Sequence, residues 1–205
     1  MLTKIILIRH GQTTWNIEGR FQGQSDVELM PEGIEQAQKL ADSFPLTTLD
    51  AVYCSDLKRT RCTAKIIADK FNLPLNTTAQ LREMNFGKWE GMFFDDINKK
   101  WPNAINNFFA DPLSITIPDG ETFSQVQNRA IDAIDNIISN NSGNTIAIVA
   151  HGAINRTILS YAANIPFNHI WSVAQSNTAY NIFSYDDEYK KFYIHTINNT
   201  SHLLV

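Results

Sequence analysis

The sequence predicts an α/β fold: a three-layer α/β/α sandwich with a mainly parallel sheet, helices on both faces and a small helical lid insertion. Three observations carry that prediction. Short β-branched apolar runs alternate with amphipathic segments along the 205 residues. The run at 3–8 has the continuous apolar character of a strand buried on both faces. An aromatic, proline-punctuated stretch at 92–120 interrupts the rhythm once. The chain reads as one domain over 1–205, a length that supports a sizeable core without disulfide or metal staples.

Residues 3–8, TKIILI, form the first strand. Pro31 suits the first turn of a helix, and Ile34, Ala37, Leu40 and Ala41 follow at helical spacing. DAVYC at 50–54 reads as a second strand. A helix over 57–71 comes next, with Ser55 or Asp56 as its N-cap. On a longer helix over 121–140, Phe123, Val126, Ala130, Ile134 and Ile137 make one apolar stripe. TIAIV at 145–149 is a third apolar strand, and 152–164 is the helix after it. Two further strands, AYNIFSY and KKFYIHTI, are joined at Asp186–Glu188. The stretch 92–120 holds Phe93, Phe94, Trp101, Phe108 and Phe109 with Pro102, Pro112 and Pro118, and is expected to cover one end of the sheet.

Composition narrows the function classes. With 17 Lys and Arg against 21 Asp and Glu, the formal charge is −4. An acidic chain without a basic block is a poor nucleic-acid binder, because that affinity rests on phosphate neutralisation. No apolar run approaches the ~20 residues of a membrane span, and no signal-peptide pattern is present. Cys54 and Cys62 have no metal or redox spacing and read as reduced thiols of a cytoplasmic protein. No cofactor motif is found, and the sequence leaves a homodimer open.

One pattern occurs twice. IILIRHG runs into His10–Gly11, and IAIVAHG runs into His151–Gly152. Each pair follows a strand at its carboxyl end, where open α/β sheets place their ligand crevice. If the strands are neighbours, the imidazoles converge. Arg9 precedes His10, and Arg59 falls in the first turn of the helix after the second strand. Two imidazoles, two guanidiniums and a helix N-terminus make a pocket for a tetrahedral oxyanion. Arg61 lies about 200° further round that helix and faces solvent. A zinc or iron site is the competing use of two histidines, but adjacent arginines raise the cost of a divalent cation. The G-x-S-x-G and G-x-x-x-x-G-K-[ST] motifs are absent.

These residues resemble a known family. LIRHGQTTWN at Leu7–Asn16 is similar to the signature of the histidine phosphatase superfamily, also called phosphoglycerate-mutase-like. SDLKRTRCTA at Ser55–Ala64, LREMNFGKWEG at Leu81–Gly91, PDGE at Pro118–Glu121 and VAHG at Val149–Gly152 resemble its further motifs, in the family's order. The resemblance implies that His10 is the nucleophile and that Arg9, Arg59 and His151 bind the phosphoryl oxygens. It implies that Glu83 protonates the leaving oxygen and then serves as base for water; that role in turn calls for a less polar setting, expected near Phe86 and Trp89. Asn16, Gln22 and Gly152 match positions that line the phosphate pocket. Cys62 departs from the Gln or Glu common in relatives, outside the phosphate-binding set.

The implied activity is a metal-independent hydrolysis of a small phosphomonoester through a phosphohistidine, without a cofactor. The aromatic lid favours a leaving group with a ring, so α-ribazole 5′-phosphate ranks first among substrates. Two alternatives stand beside it: a phosphoglycerate mutase, and a non-catalytic phosphate-binding protein on the same scaffold. Only Lys99 and Lys100 are basic within 92–120, which disfavours the mutase. The −4 total does not weigh against an anionic ligand. Exposed charges beyond ~8 Å are largely screened at physiological salt, so local charge decides.

Overall fold

The computed structural model describes residues 1–204. In chain order it forms β1 (Leu2–Arg9), α1 (Thr14–Glu18), α2 (Pro31–Asp42), β2 (Ala51–Ser55), α3 (Lys58–Lys70) and β3 (Leu75–Thr78). There follow α4 (Phe94–Lys100), α5 (Ala104–Ala110), α6 (Phe123–Asn140), β4 (Thr145–Ala150), α7 (Gly152–Ala162), β5 (Tyr180–Asp186) and β6 (Lys191–Asn199). The strands make one six-stranded sheet in the order β3-β2-β4-β1-β5-β6. The first four in that order run parallel, β5 pairs antiparallel with β1, and β6 pairs antiparallel with β5.

The period-2 geometry of β1 divides the core. Ile5 and Leu7 face a cluster that includes Val126, Ala130 and Ile134 of α6 and Ile154 and Ile158 of α7. Ile6 and Ile8 face the opposite cluster, with Leu40 of α2 and Ala64 and Ile67 of α3. All four β1 residues are fully buried. Each such side chain contributes roughly 1.5–3 kcal/mol relative to exposure, which fixes β1 at the sheet centre. The three-layer arrangement follows.

Several elements differ from the sequence reading. The expected apolar position Ile34 on α2 points outward and is 45% exposed, while Gly33 takes the buried place. The reason is close backbone approach: a Cβ on Gly33 would lie 2.1 Å from the Gln12 carbonyl oxygen, and one on Gly11 2.3 Å from the Gly33 carbonyl oxygen. The N-cap of α3 is Leu57, not Ser55 or Asp56. Asp26 supplies the cap from elsewhere by accepting the Lys58 N–H at 2.7 Å, and Asp56 is engaged by Arg82 in a two-bond fork. The sequence reading missed β3 and α1. The first is a polar four-residue edge strand, and the second is a five-residue turn held by a capping box between Thr13 and Asn16.

Residues 92–120 carry α4 and α5 over the carboxyl end of the sheet. Phe108 is their buried centre, within 6 Å of the rings of Phe21, Phe86, Trp89, Phe123 and Trp171. A single antiparallel bridge between Arg20 and Phe93 ties the segment to the loop after α1. No helix among the described residues is long and apolar enough to cross a membrane.

Candidate active site

Because β1 and β4 are adjacent and parallel, with Arg9 in register with Ala150, both histidines emerge side by side. The His10 N–H donates to the Ala150 carbonyl at 3.0 Å. The imidazole centroids are 5.2 Å apart, with the rings inclined at 62°. The His10 Nδ1 lies 2.7 Å from the Gly11 carbonyl oxygen. A carbonyl only accepts, so Nδ1 carries the proton and the Nε2 lone pair is left free. His151 has the opposite tautomer: its Nδ1 accepts from Arg59 Nε at 3.2 Å, so its buried Nε2 carries a proton with no partner in the protein. Burial, and then the nearby Arg59 and other cations, hold both imidazoles well below the usual histidine range. Both are neutral at pH 7.

Arg59 is fully buried in the first turn of α3. Its Nη1 and Nη2 donate to the carbonyls of Ser25 and Gly23 at 2.8 and 2.7 Å. Arg9 Nη1 donates to the Gln175 carbonyl at 2.6 Å, while its buried Nε has no partner in the protein. Burial lowers each guanidinium to about 10, which leaves both charged at neutral pH. Carbonyls orient these cations without neutralising them. The outcome is a positive floor with unused donors from Arg9 and His151.

Glu83 stands against this floor. Its carboxylate accepts the N–H of Met84 at 3.0 Å, that of Ala153 at 3.1 Å and that of Ile154 at 3.2 Å. The last two belong to the first turn of α7, so a helix N-terminus holds the acid. Phe86 lines the same cavity as Glu83, which is itself buried. The Phe86 and Trp89 rings pack in the aromatic cluster around Phe108. Glu90 has a structural place: it accepts the backbone N–H groups of Gln24, Ser25 and Phe86.

The same cavity, of about 300 Å³, takes in Arg9, His10, Asn16, Gln22, Arg59, Glu83 and Gly152. His151 reaches it through its contacts with His10 and Arg59 rather than as wall. Gln22 is buried and its Oε1 has no partner in the protein. Asn16 Oδ1 accepts from Asn177 Nδ2 at 3.2 Å, and the same amide donates to the His10 carbonyl at 3.0 Å. At Gly152 a Cβ would stand within 4 Å of Arg156 Nη1, Glu83 Oε2 and Arg9 Nε. Glycine keeps that space open. Arg61 is exposed, as its helical angle implies.

Phe94, Phe108 and Phe109 of the expected aromatic lid line the mouth, and beside them stand Trp15, Arg20 and Trp171, which sequence reasoning missed. Arg156 also faces the cavity. Its place four residues after Gly152, on the same side of α7, is the signal that could have shown it. Gln175 and Asn177 carried no sequence signal, because their roles rest on a loop that meets β1 only in three dimensions. Among the described residues, no group of three or more His, Cys, Asp or Glu side chains is arranged to hold a metal ion.

A buried imidazole with a free lone pair, a second that donates, and two cations at the ends of parallel strands define an enzyme that handles a tetrahedral oxyanion. The chain belongs to the histidine phosphatase superfamily, branch 1, whose model it matches over residues 5–200. Its relatives include phosphoserine phosphatases and phosphoglycerate mutase-like proteins, and it is a phosphomonoester hydrolase of this family. It is 29% identical over 202 residues to phosphoserine phosphatase 1 of Hydrogenobacter thermophilus, covering 98% of this chain and 95% of that protein. The solved structure of Bacillus stearothermophilus YhfR is similar with a TM-score of 0.92 and 32% identity, over 98% of this chain and 99% of that one. The α-ribazole phosphatase from Shigella flexneri gives a TM-score of 0.87 and 25% identity over 96% of each chain.

Proposed function

We propose that this chain hydrolyses a small phosphomonoester through a phosphohistidine on His10, without a metal or other cofactor. The observation that carries this reading is the Nδ1–H bond from His10 to the Gly11 carbonyl, which directs a neutral Nε2 lone pair to the cavity. Nε2 attacks phosphorus and the ester P–O bond breaks. Glu83, in its acid form, gives its proton to the departing alcohol oxygen. Water then attacks the phosphohistidine, its proton passes to Glu83, and the P–N bond breaks to release phosphate. Arg9, Arg59 and the His151 Nε2–H stabilise the equatorial oxygens in both steps. Asn16, Gln22 and the open face at Gly152 complete the phosphoryl pocket. Covalent transfer divides one hard displacement into two easier ones.

The chain works as one domain, with 92–120 as its lid. The unpaired Cys54 and Cys62 support a cytoplasmic setting. Labelled phosphoester, quenched in denaturant at high pH where phosphohistidine survives, tests the mechanism. Label is expected on the native chain and none on His10→Ala; label that survives in the variant overturns the assignment.

Two leaving groups suit different parts of the mouth. Its aromatic wall suits a ring, which supports α-ribazole 5′-phosphate. Its Arg156 suits an acid-bearing alcohol such as phosphoserine. The mutase reading is weaker, since neither Lys99 nor Lys100 reaches the cavity wall. Interconversion of 3- and 2-phosphoglycerate faster than phosphate release would restore it.

A further inference from the structure

Arg156 brings a positive charge that the phosphoryl site does not match. Its Nε donates to the Val173 carbonyl at 2.8 Å and its Nη1 to the Gly152 carbonyl at 3.1 Å. Its guanidinium carbon lies 5.4 Å from the centre of the Trp171 ring, and that indole is fixed by its own N–H bond to the Phe108 carbonyl at 2.9 Å. Carbonyls and a ring hold a cation in place, yet they leave its charge standing. Among the described residues, Arg156 forms no ion pair with a carboxylate. Its Nη2 makes no hydrogen bond there and is not a sealed buried atom.

The charges of the cavity can be matched one by one. Its wall holds Arg9, Arg20, Arg59 and Arg156 against Glu83. Arg20 is paired with Glu18. A phosphoryl dianion takes Arg9 and Arg59. Glu83 turns its oxygens to the N–H groups of Met84, Ala153 and Ile154 rather than to Arg156. A largely buried charge is retained at low cost only when it meets a partner. The position of this surplus cation is informative. Arg156 Nη1, Glu83 Oε2 and Arg9 Nε lie within 4 Å of the same point beside Gly152, so Arg156 stands next to both the phosphoryl-binding cation and the acid. Arg156 therefore flanks the group that protonates the leaving oxygen.

We propose that Arg156 is a specificity-determining residue that selects phosphomonoesters whose alcohol portion bears a carboxylate, bound at its free Nη2 edge. This rests on the phosphatase reading above. The aromatic mouth limits water around the pair and so strengthens it. Trp171 sets the plane of the guanidinium.

Matched substrates test this directly. O-phosphoserine and O-phosphoethanolamine differ by one carboxylate, as do 3-phosphoglycerate and glycerol 3-phosphate, where a hydroxymethyl replaces it. In each pair the native chain is expected to favour the acid by about 10- to 100-fold in kcat/KM, the range of a charge-assisted hydrogen bond. Arg156→Met should collapse that preference, chiefly through KM, and Arg156→Lys should restore part of it. Equal losses on both members of a pair, or a native chain that favours the neutral members, overturn the proposal. The native comparison stands even if a variant fails to fold. With p-nitrophenyl phosphate as reference, turnover without acid preference sinks the Arg156 proposal alone. No turnover of any ester and no phosphohistidine sinks the phosphatase reading and this proposal with it.

Discussion

At the floor of the cavity, His10 and Arg59, with His151 behind them, are at most 3% exposed, and the His10 Nδ1 and the Arg59 guanidinium are held by carbonyls and a ring nitrogen. At the mouth, Phe94 and Phe109 are 42% and 43% exposed and meet each other ring to ring, 6.2 Å apart. The floor grows from strand ends and helix N-termini inside the sheet. The mouth belongs to two helices of seven residues each, packed on aromatic rings. Directional bonds fix geometry to a fraction of an ångström, whereas ring contacts tolerate displacement. On the proposed function, the chemistry sits where the structure cannot adapt and substrate choice where it can.

The contrast is broken most severely at His10. His10→Ala should lower kcat by about 10⁴- to 10⁶-fold, as loss of a nucleophile does. Substantial residual turnover on p-nitrophenyl phosphate would place the nucleophile elsewhere. Next comes Glu83→Gln, which keeps the acceptor geometry toward α7 but removes the transferable proton. A fall of about 10²–10⁴-fold is expected, smallest for esters with good leaving groups. A uniform loss across leaving groups would contradict proton donation.

Rigidity of the floor can be tested by unfolding rather than by turnover. Gly11→Ala drives a Cβ against the Gly33 carbonyl and should cost about 1–3 kcal/mol in denaturant unfolding. An unchanged midpoint would show slack where close packing is inferred. The buried imidazoles give a pH signature. His10, His151 and His202 are all held below the ordinary value of 6.5, mainly by burial. Between the lowered folded values and 6.5 the unfolded chain binds more protons. Stability is therefore intact above pH 6.5 and declines as pH falls below it. Denaturant midpoints at pH 7.5, 6.5 and 5.5 should decrease in that order. A midpoint that rises toward acid would reverse the assignment. The smallest effect belongs to the mouth. Phe109→Ala should raise KM about two- to fivefold for ring-bearing esters and leave kcat nearly unchanged, as loss of a half-exposed contact does. A large drop in kcat would mean that the lid shapes the floor.

The same division governs what the sequence discloses. β1 and β4 are legible because strands buried on both faces are apolar throughout, and each ends in an unusual His-Gly. The α6 stripe is legible because burial on one face imposes helical spacing. Position-specific partners are not. The cap of α3 comes from Asp26, 32 residues before Lys58, and the N–H groups that seat Glu83 come from Ala153 and Ile154, 70 and 71 residues after it. β3 pairs at a sheet edge and needs no apolar pattern. Arg156 has an ordinary helical context until Trp171 and the Val173 carbonyl arrive from another segment. What periodicity encodes is readable, and what tertiary pairing encodes is not.

The place of β1 in the sheet has a consequence for how the protein is made. Its partners come late: Lys4 pairs with Thr145, and Leu7 with Asn181. At ~5–20 residues per second of synthesis, the strand that leads into His10 waits roughly 7–28 s for its first neighbour. During that time the IILI run has no sheet to enter. Assembly must close this early strand between β4 and β5, so folding is dominated by distant contacts and is expected to be slow. A ribosome-bound chain ending before β4 would carry His10 but no active site.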